Sequence, residues 1–413
     1  MIPPVIRLFF HISLAILATL AATVAAVSAP LVQRMVESPE GCYFTYPHAN
    51  GFLPDGRTLV LARPDAPPPG GKSGRITFLL FDPATGATSP AGSLAGVKMY
   101  YGISQTGVLV TNAGNSLVVM ALSGGEATAR VLWESAAPWR LSDLPDISPD
   151  GETVLADFHD YTPPGRHQMR LFRVDGDNAG GGRVVLEKSW LLNHTHRSPA
   201  DPAWILFSHE GSLVTDRMWA WHPDAAPQGR AIFDQIAPDG KPLYIGHELA
   251  MHHKPAALAV AFGNSPGSPR GLYETGFAGS GADIVDTPHA RPVSPGERDW
   301  HCNISRDGRW AVVDTMGRFD DTGPILPGWA DNGGVSDIVA VNLRTGARQF
   351  LHRGSFLRPH PWHPHPHISP DGRRVICNDA QTRRVRVLEI DPAALEAFLG
   401  GDGPGGTPVV ARQ

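Results

Sequence analysis

The chain has 413 residues, of which 42% are hydrophobic and 18% charged, a composition typical of a globular protein with a large core. Its formal net charge of -5 at pH 7 argues against nonspecific nucleic-acid binding, which needs a basic surface, but it is compatible with a local basic pocket for an acidic substrate. The 45 glycines and 39 prolines imply many turns and disfavour long helices.

The amino-terminal segment, residues 1–29, contains the apolar run LFFHISLAILATLAATVAAVSA, which follows Arg7 and ends in small residues. This pattern favours a cleaved secretory signal peptide. The run is also nearly long enough to span a bilayer, so an uncleaved membrane anchor is the alternative. Both interpretations predict a periplasmic or secreted protein, attached to the membrane only if the segment is retained.

A turn signal of one shape recurs along the rest of the chain. It occurs as LPDG at Leu53, SQTG at Ser104, SPDG at Ser148, SPAD at Ser198, SRDG at Ser305 and SPDG at Ser369. Successive starts differ by 44 to 64 residues, apart from one gap of 107 that holds HHKP at His252 in the missing place. The chain therefore contains seven units.

Each turn leads into an apolar segment, such as RTLVLA after Gly56 and RWAVVDT after Gly308, and often a second one follows. Regular short strands at a period near fifty residues predict an all-β fold, a single seven-bladed β-propeller over residues 35–400. The one short helical pattern is the tail PAALEAFLG. We see no second domain.

Other motifs narrow the possible chemistry. The three cysteines, Cys42, Cys302 and Cys377, are odd in number and lack a CxxC spacing, so they are predicted to be free buried thiols. No GxGxxG follows a strand, which argues against a nucleotide cofactor. No HExxH motif occurs, which removes support for zincin chemistry.

Half of the 18 histidines cluster near the turns. They are His194, His196, His209, His247, His301, His360, His363, His365 and His367. In a propeller the innermost strands line one channel, so residues at matching positions in successive blades are expected to meet in one site. Apart from His11 in the amino-terminal segment, the remaining histidines are expected in loops, namely His48, His159, His167, His222, His252, His253, His289 and His352.

The stretch RPHPWHPHPHISPDG predicts a metal site. His363 and His365 are two residues apart, which puts both side chains on one face of a strand. His360 can close the site from the preceding loop, and His301 can join from the adjacent blade. Such a donor set suits a divalent Zn, Mn, Fe or Ni ion. The alternative is that these histidines only pack or form hydrogen bonds, as we expect for His367, which should point away in the turn.

Four ordered motifs resemble the oligogalacturonate lyases, polysaccharide lyases built on a seven-bladed propeller. They are SHEGSLVTDRMW, GHE, HCNISRDGRWAVVD and HPHPHISPDGRRVICND, and they fall between Asn193 and Asp379. The resemblance implies β-elimination of a uronate-containing oligosaccharide, as in pectin degradation, with a divalent metal, typically manganese, at the mouth of the channel.

The same motifs assign roles to particular residues. The resemblance implies that His301, His363 and His365 bind the metal, and His360 stands where the family has a glutamine ligand. It also implies that His247 is the general base.

Arg217 matches an active-site arginine of the family. It is predicted to stabilise charge and, with His209 and Glu210 of the same motif, to bind the substrate. This assignment suits the chemistry, since a metal and a cation stabilise charge next to a uronate carboxylate while a neutral histidine takes the C5 proton.

The chain also departs from the family pattern. HEGSL and HELAMHHKP each lack an aromatic residue that the family carries, and the apparent export differs from many members, so the uronate glycan stays open. Two alternatives remain. One is a non-enzymatic, TolB-like periplasmic propeller that binds sugars or proteins, and the other is a metal-dependent hydrolase on the same fold.

Overall fold

The computed structural model describes residues 30–65, 74–122, 128–178, 180–211, 214–277, 290–321 and 334–401. Within these ranges the chain forms seven antiparallel sheets, the blades of a seven-bladed β-propeller, and one short helix. This confirms the predicted fold class. The predicted signal peptide or anchor lies outside the described residues. In the described part of the chain, no helix has the length and apolar character needed to cross a membrane.

The strands follow one another blade by blade. The first described strand is β1 (Val32–Glu37), and the first sheet follows as β2 (Leu59–Pro64), β3 (Arg75–Asp82) and β4 (Ala87–Ala95). The second sheet is β5 (Val97–Ile103), β6 (Val108–Ala113), β7 (Ser116–Ala121) and β8 (Ala129–Glu134). The third is β9 (Arg140–Leu141), β10 (Asp146–Ile147), β11 (Thr153–Asp160), β12 (Arg166–Arg173) and β13 (Arg183–Lys188).

The remaining four sheets repeat this order. The fourth is β14 (Leu192–Arg197), β15 (Ile205–His209), β16 (Met218–His222) and β17 (Ala226–Ala231), and the fifth is β18 (Ile245–Ala250), β19 (Ala256–Ala261), β20 (Gly271–Gly276) and β21 (Arg291–Pro295). The sixth is β22 (Asp299–Ile304), β23 (Trp310–Thr315), β24 (Val335–Asn342) and β25 (Arg348–Ser355). The seventh is β26 (His367–Ile368), β27 (Arg374–Asp379), β28 (Arg384–Ile390) and the returning β1.

The recurring turn is stabilised by its own side chains. In the last unit, Ser369 donates its hydroxyl to the Asp371 carboxylate at 2.5 Å and accepts the backbone N–H of Arg374 at 2.9 Å. Gly372 has φ of 69°, a left-handed conformation that costs glycine little. The turn therefore reverses the chain between the innermost strand and the second strand of each blade that carries this signal.

The first described strand completes the last blade. Strand β1 pairs antiparallel with β28, and Met35 lies opposite Leu388. The helix α1 (Pro392–Gly400) follows directly and confirms the predicted helical tail. It begins at Asp391, whose side chain accepts the N–H of Ala394, and it buries Leu399. The ring is thus closed by pairing between the two ends of the described chain.

The core lies between the faces of neighbouring sheets. Val60 of β2 and Phe78 of β3 pack with Tyr101 of β5 and Leu109 of β6, and all four side chains are buried. Each sheet is covered on both faces, which explains why β19 has the wholly apolar sequence AALAVA. Burial of apolar surface of this kind is the main favourable contribution to folding.

The structure corrects part of the predicted placement of histidines. Four of those expected in loops lie in strands, because their segments pair within sheets. They are His159 in β11, His167 in β12, His222 in β16 and His352 in β25. His48, His252 and His253 lie in turns or bends as expected, and His289 lies outside the described residues. The three cysteines are free and buried, as predicted.

Candidate metal centre and active-site cavity

The innermost strands carry irregularities at one level of the channel. The pairing register shifts between Asn193 and His196 in β14, between Gly246 and Leu249 in β18, and between Asp299 and Cys302 in β22. Bulges of this kind redirect a side chain and are frequent beside active sites.

Three histidines adopt the left-handed backbone conformation at this level. The φ angles of His194, His247 and His365 are 57°, 55° and 44°. Such angles are uncommon for residues other than glycine and cluster at functional sites. His194, His301 and His365 also share one sequence position, four residues before the serine of the turn in their blades. The bulged strands thus present one imidazole per blade at a common depth.

Three histidines converge closely enough to bind one metal ion. Ligand atoms of His301, His363 and His365 all lie within 4.8 Å of one another, and all three residues are buried. The ring centroids of His301 and His365 are 4.4 Å apart, and those of His363 and His365 are 5.4 Å apart. A set of three buried imidazoles suits a divalent transition metal.

Each of the three imidazoles has a nitrogen left for a metal. His301 donates from Nδ1 to the Asp314 carboxylate at 2.9 Å, which leaves Nε2. His363 donates from Nε2 to the carbonyl of Arg358 at 2.9 Å, and its Nδ1 is buried without a hydrogen-bond partner among the described residues. Both ring nitrogens of His365 likewise lack one. Since buried polar atoms are normally paired, these orphaned nitrogens fit a metal ion as their partner.

Burial keeps these imidazoles neutral, as metal binding requires. Burial, together with the neighbouring imidazoles of His360 and His301, lowers the pKa of His363 to about 2. Burial also lowers the pKa of His301 and of His365 well below the usual range of histidine.

Asp314, which the sequence reasoning missed, supports the triad from strand β23. Its carboxylate accepts the backbone N–H of His301 at 2.6 Å and of His365 at 3.2 Å, in addition to the His301 side chain. Burial raises the pKa of Asp314 to about 7, although these hydrogen bonds act in the opposite direction. An acidic residue within the apolar segment RWAVVDT was the available signal.

His360, predicted as a fourth ligand, lies beside the triad and is not part of its closest set. Its ring centroid is 3.9 Å from that of His363. Its Nδ1 shares a hydrogen bond with the hydroxyl of Tyr100, a residue on β5. Burial lowers the pKa of His360 to about 4. The structure therefore brings His360 to the site but commits one of its nitrogens to Tyr100.

A cavity of about 740 Å³ opens above the triad. Its wall includes Tyr46, His194, His247, His301, His360 and His363. The ring of Tyr46 lies at the centre of this wall, with centroids 4.9 Å from His365 and 5.2 Å from His194. The buried Tyr46 hydroxyl has no hydrogen-bond partner among the described residues, and no turn signal pointed to this residue.

His247 stands next to the candidate metal ligands on the cavity wall. Its ring centroid is 4.0 Å from that of His301. Its Nδ1 donates to the carbonyl of Trp300, so Nε2 carries the lone pair. Burial, with the neighbouring imidazole of His301 and the charge of Arg217, lowers the pKa of His247 well below its usual value. A neutral imidazole with a fixed tautomer is the form that can accept a proton.

Arg217 lies in the same cavity but is already paired with two carboxylates. Its Nη1 and Nη2 donate to Glu210 at 3.0 and 3.1 Å, and its Nε donates to Glu248 at 3.3 Å. Although burial by itself would lower the pKa of Arg217, the carboxylates of Glu248 and Glu210 raise it. Glu210 also lies 3.6 Å from Nε2 of His194.

No protein-family model matches the chain, and no curated protein matches it. Solved structures do match. An oligogalacturonate lyase in complex with manganese aligns over 86% of this chain and 92% of its own, with a TM-score of 0.66 and 16% identity. An oligogalacturonate lyase from Vibrio parahaemolyticus aligns over 89% and 99%, also with a TM-score of 0.66 and 16% identity.

The chain shares its fold with the oligogalacturonate lyases. The β-propeller domain of Cps50 (Swd1) from Myceliophteria thermophila is more distant, with a TM-score of 0.50 and 11% identity over 87% of this chain and 100% of its own. At these identities the likeness establishes the lyase fold and thereby confirms the resemblance noted in the sequence. The activity has to be argued from the site.

Within this fold, His209 is separated from the other predicted site residues. It ends β15 with its ring stacked on Trp190, at a centroid distance of 4.2 Å, and Nδ1 bonded to Asp216 at 2.9 Å. The next residue, Glu210, faces the cavity, as the alternation of side chains along an extended chain requires. His209 therefore does not line the cavity to which it was assigned.

Two further histidines, His196 and His367, lie two residues after His194 and His365 on the inner strands. His196 donates to the carbonyl of His194 at 2.8 Å and accepts the N–H of Ala250 at 3.2 Å. His367 contacts the carbonyls of His365 and Tyr46 at 2.9 and 3.0 Å. His367 does point away from the triad, but it is buried in strand β26 and not part of the turn. These two histidines hold neighbouring inner strands together.

Proposed function

We propose that the protein is a metal-dependent lyase that cleaves a uronate-containing oligosaccharide by β-elimination. The observation that carries this proposal is the position of His247 on the cavity wall, where its neutral imidazole has its ring centroid 4.0 Å from that of His301, one of the three candidate metal ligands. The shared fold with oligogalacturonate lyases supports it.

The reaction needs a base that is neutral at the start. The C5 proton of a uronate is α to a carboxylate and is weakly acidic until negative charge on that carboxylate is stabilised. His247 accepts this proton at Nε2, since Nδ1 is held by the Trp300 carbonyl. The electrons of the C5–H bond form the C4–C5 double bond while the C4–O bond breaks, and water protonates the leaving oxygen. A base so placed contributes on the order of 10²- to 10⁴-fold to the rate.

The metal would be held by His301, His363 and His365, with His360 beside them. When bound, a divalent ion supplies positive charge that stabilises the enolate-like carboxylate. The donor set suits manganese, which one structural neighbour binds, as well as Zn, Fe or Ni. Asp314 keeps His301 in the tautomer that offers Nε2.

The protein's own residues also define the surroundings of the reaction. Tyr46, His194 and Glu210 form the wall beside His247, and Arg217 joins Glu210 to Glu248. We propose further that the protein acts outside the cytoplasm, on the basis of the apolar segment at residues 1–29.

The test is direct measurement of the product. The purified protein is loaded in turn with Mn, Zn, Fe and Ni and incubated with pectic, glucuronan and ulvan-type oligosaccharides, and the ultraviolet absorbance of an unsaturated uronate is followed. We expect product with at least one combination. Metal bound at the triad with no product from any substrate would overturn the lyase proposal in favour of a binding propeller.

A further inference from the structure

The cations of the cavity wall fall into two classes. Four basic residues line the cavity, namely Lys98, Arg140, Arg217 and Arg358. Two of them are neutralised by the protein itself. Arg217 is bound by Glu210 and Glu248, and Lys98 lies 2.9 Å from Asp143.

The other two guanidinium groups are uncompensated. Arg140 and Arg358 are exposed, and neither side chain forms an ion pair or hydrogen bond with another described residue. They come from different blades. Arg140 begins β9 in the third sheet, and Arg358 lies in the loop between β25 and β26. The carbonyl of Arg358 accepts the hydrogen bond of His363, which places this residue directly beside the triad.

Pairing decides which arginine can receive a substrate carboxylate. A guanidinium already in a buried ion pair must give up that pair, and removing one partner of a buried ion pair is strongly destabilising. Side-chain exposure is 6% for Arg217 and 1% for Glu248, so this penalty applies to their pair. An exposed, unpaired guanidinium gives up only water and can bind a carboxylate with two parallel hydrogen bonds.

We propose that Arg358 and Arg140 are the carboxylate receptors of the cavity, and that Arg217 is a positioning residue. This inference rests on the proposed function and specifies its substrate class. Arg358 binds the carboxylate of the sugar next to the metal centre, and Arg140 binds that of another sugar unit. The substrate is therefore an oligouronate with at least two free carboxylates. Arg217 acts through Glu210, which it holds toward the cavity.

The test measures binding apart from turnover. The metal-loaded His247→Ala variant, which removes the proposed base, is titrated calorimetrically with a uronate trisaccharide and with its fully methyl-esterified form. Arg358→Gln and Arg140→Gln are added singly. Arg373→Gln is the matched control, because Arg373 is an exposed arginine that lies outside the cavity lining.

We expect Arg358→Gln and Arg140→Gln each to weaken binding of the acidic trisaccharide by about 10- to 100-fold, as for loss of a charge-assisted hydrogen bond. Arg373→Gln should have no effect. The methyl ester should bind the parent protein weakly and be insensitive to either change. Arg217→Lys should keep the preference for the acidic trisaccharide over its ester, because the side chain at position 217 does not contact the substrate carboxylates.

Unchanged affinity in both glutamine variants would overturn the inference. It would also fall if Arg217→Lys alone abolished the preference for acid over ester, or if the parent protein bound neither ligand. These results separate it from the proposed function. If the wild type forms product while the arginine variants bind the trisaccharide normally, the lyase proposal stands and this inference does not. If binding depends on the two arginines but the wild type forms no product, the carboxylate site stands and the lyase proposal does not.

Discussion

The imidazole of His301 donates from Nδ1 to the buried carboxylate of Asp314, at 2.9 Å from Oδ2 and 3.0 Å from Oδ1. The same carboxylate accepts the backbone N–H groups of His301 and of His365, which belong to neighbouring blades. One side chain therefore fixes the tautomer of one candidate ligand and the backbone position of another. Support of this kind behind a metal ligand orients the ring and raises its basicity.

Replacing Asp314 tests that support. We expect Asp314→Asn to weaken metal affinity by about 10- to 100-fold, because the amide accepts less strongly from Nδ1. Competition with a metal-sensitive chelator measures the change. Asp157→Asn, an equivalent exchange in the third blade away from the triad, should leave metal affinity as it is. Equal metal affinity in the Asp314 variant and the wild type would contradict the assigned role.

The metal ligands can be tested by removing two of them. His363→Ala together with His365→Ala should abolish metal binding, because only His301 of the closest set remains. Elemental analysis after dialysis gives the metal content, and far-ultraviolet circular dichroism checks that the sheets persist. His209→Ala should retain the full metal content, since that ring stacks on Trp190. A normal metal content in the double variant would disprove the site.

His360 should behave differently from the closest three ligands. Its Nδ1 is engaged with Tyr100, so we expect His360→Ala to keep the ion, bound more weakly than in the wild type. Titration with the metal compares His360→Ala with His365→Ala. If His360→Ala lost the metal as completely as His365→Ala, His360 would be a full fourth ligand.

The role of His247 as the base can be tested independently of metal binding. His247→Ala should lower kcat by about 10²- to 10⁴-fold, because a positioned proton acceptor is lost. Metal content should not change, since His247 is outside the set of candidate ligands. Steady-state kinetics and elemental analysis of the same preparation give both quantities. A decline in kcat that follows loss of the metal would remove the argument for a base at this position.

The burial of Asp157 is expected to make the free energy of unfolding depend on pH. This buried carboxylate accepts the Thr195 hydroxyl at 2.6 Å with one oxygen, and the other has no hydrogen-bond partner among the described residues. Burial raises its pKa from 3.8 to about 7, although Thr195 acts against this. Between these values the folded protein keeps a proton that the unfolded chain has released. The free energy of unfolding therefore falls as the pH rises through this window.

The variant Asp157→Asn removes this contribution while keeping an oxygen for Thr195. Its stability relative to the wild type should increase from pH 4 to pH 7 and then level off, by about 1.4 kcal/mol for each pKa unit. Urea unfolding across this range measures it. For the exposed Asp150, the hydrogen bond with Ser148 is the main cause that lowers the pKa below 3.8, so the stability of Asp150→Asn relative to the wild type should be constant from pH 4 to pH 7 and should rise only at more acidic pH. A relative stability of Asp157→Asn that does not vary with pH would contradict the prediction.

The repeated turns made the fold predictable from the sequence. SPDG and its relatives recur at nearly constant spacing and carry their own hydrogen bonds, so the signal is local. The grouping of His301, His363 and His365 could also be predicted from the sequence, because equivalent positions in successive blades lie at the same depth in the channel even when they are far apart in the chain. The extent of the strands was less accessible: β11 follows the SPDG turn at Ser148, but its pairing with β12 as far as His159 and His167 is set by contacts across the sheet.

The missed residues share one physical cause. Asp314 acts from the second strand of its blade, and Tyr46 lies in the segment between β1 and β2. Asp314 stands six residues after its turn glycine, as Asp157 does in the third blade, but the spacing does not show which of the two meets a histidine ring; Tyr46 lies outside the repeated turn-and-strand pattern. The neutralisation of Arg217 was equally hidden, since Glu248 lies 31 residues away and meets it only because the fourth and fifth sheets are neighbours. Pairing of this kind depends on tertiary geometry.

The antiparallel pairing of β1 with β28 has a consequence for the order of assembly. Until β28 is made, β1 is an unpaired edge, and contacts between such distant parts of a chain form slowly. The triad joins β22 of the sixth blade to the segment that leads into the seventh, so its three nitrogens meet only when the circle is nearly complete. We expect half-made chains to be unable to sequester the ion. Metal uptake would then be among the last events of maturation, and a signature of a finished molecule.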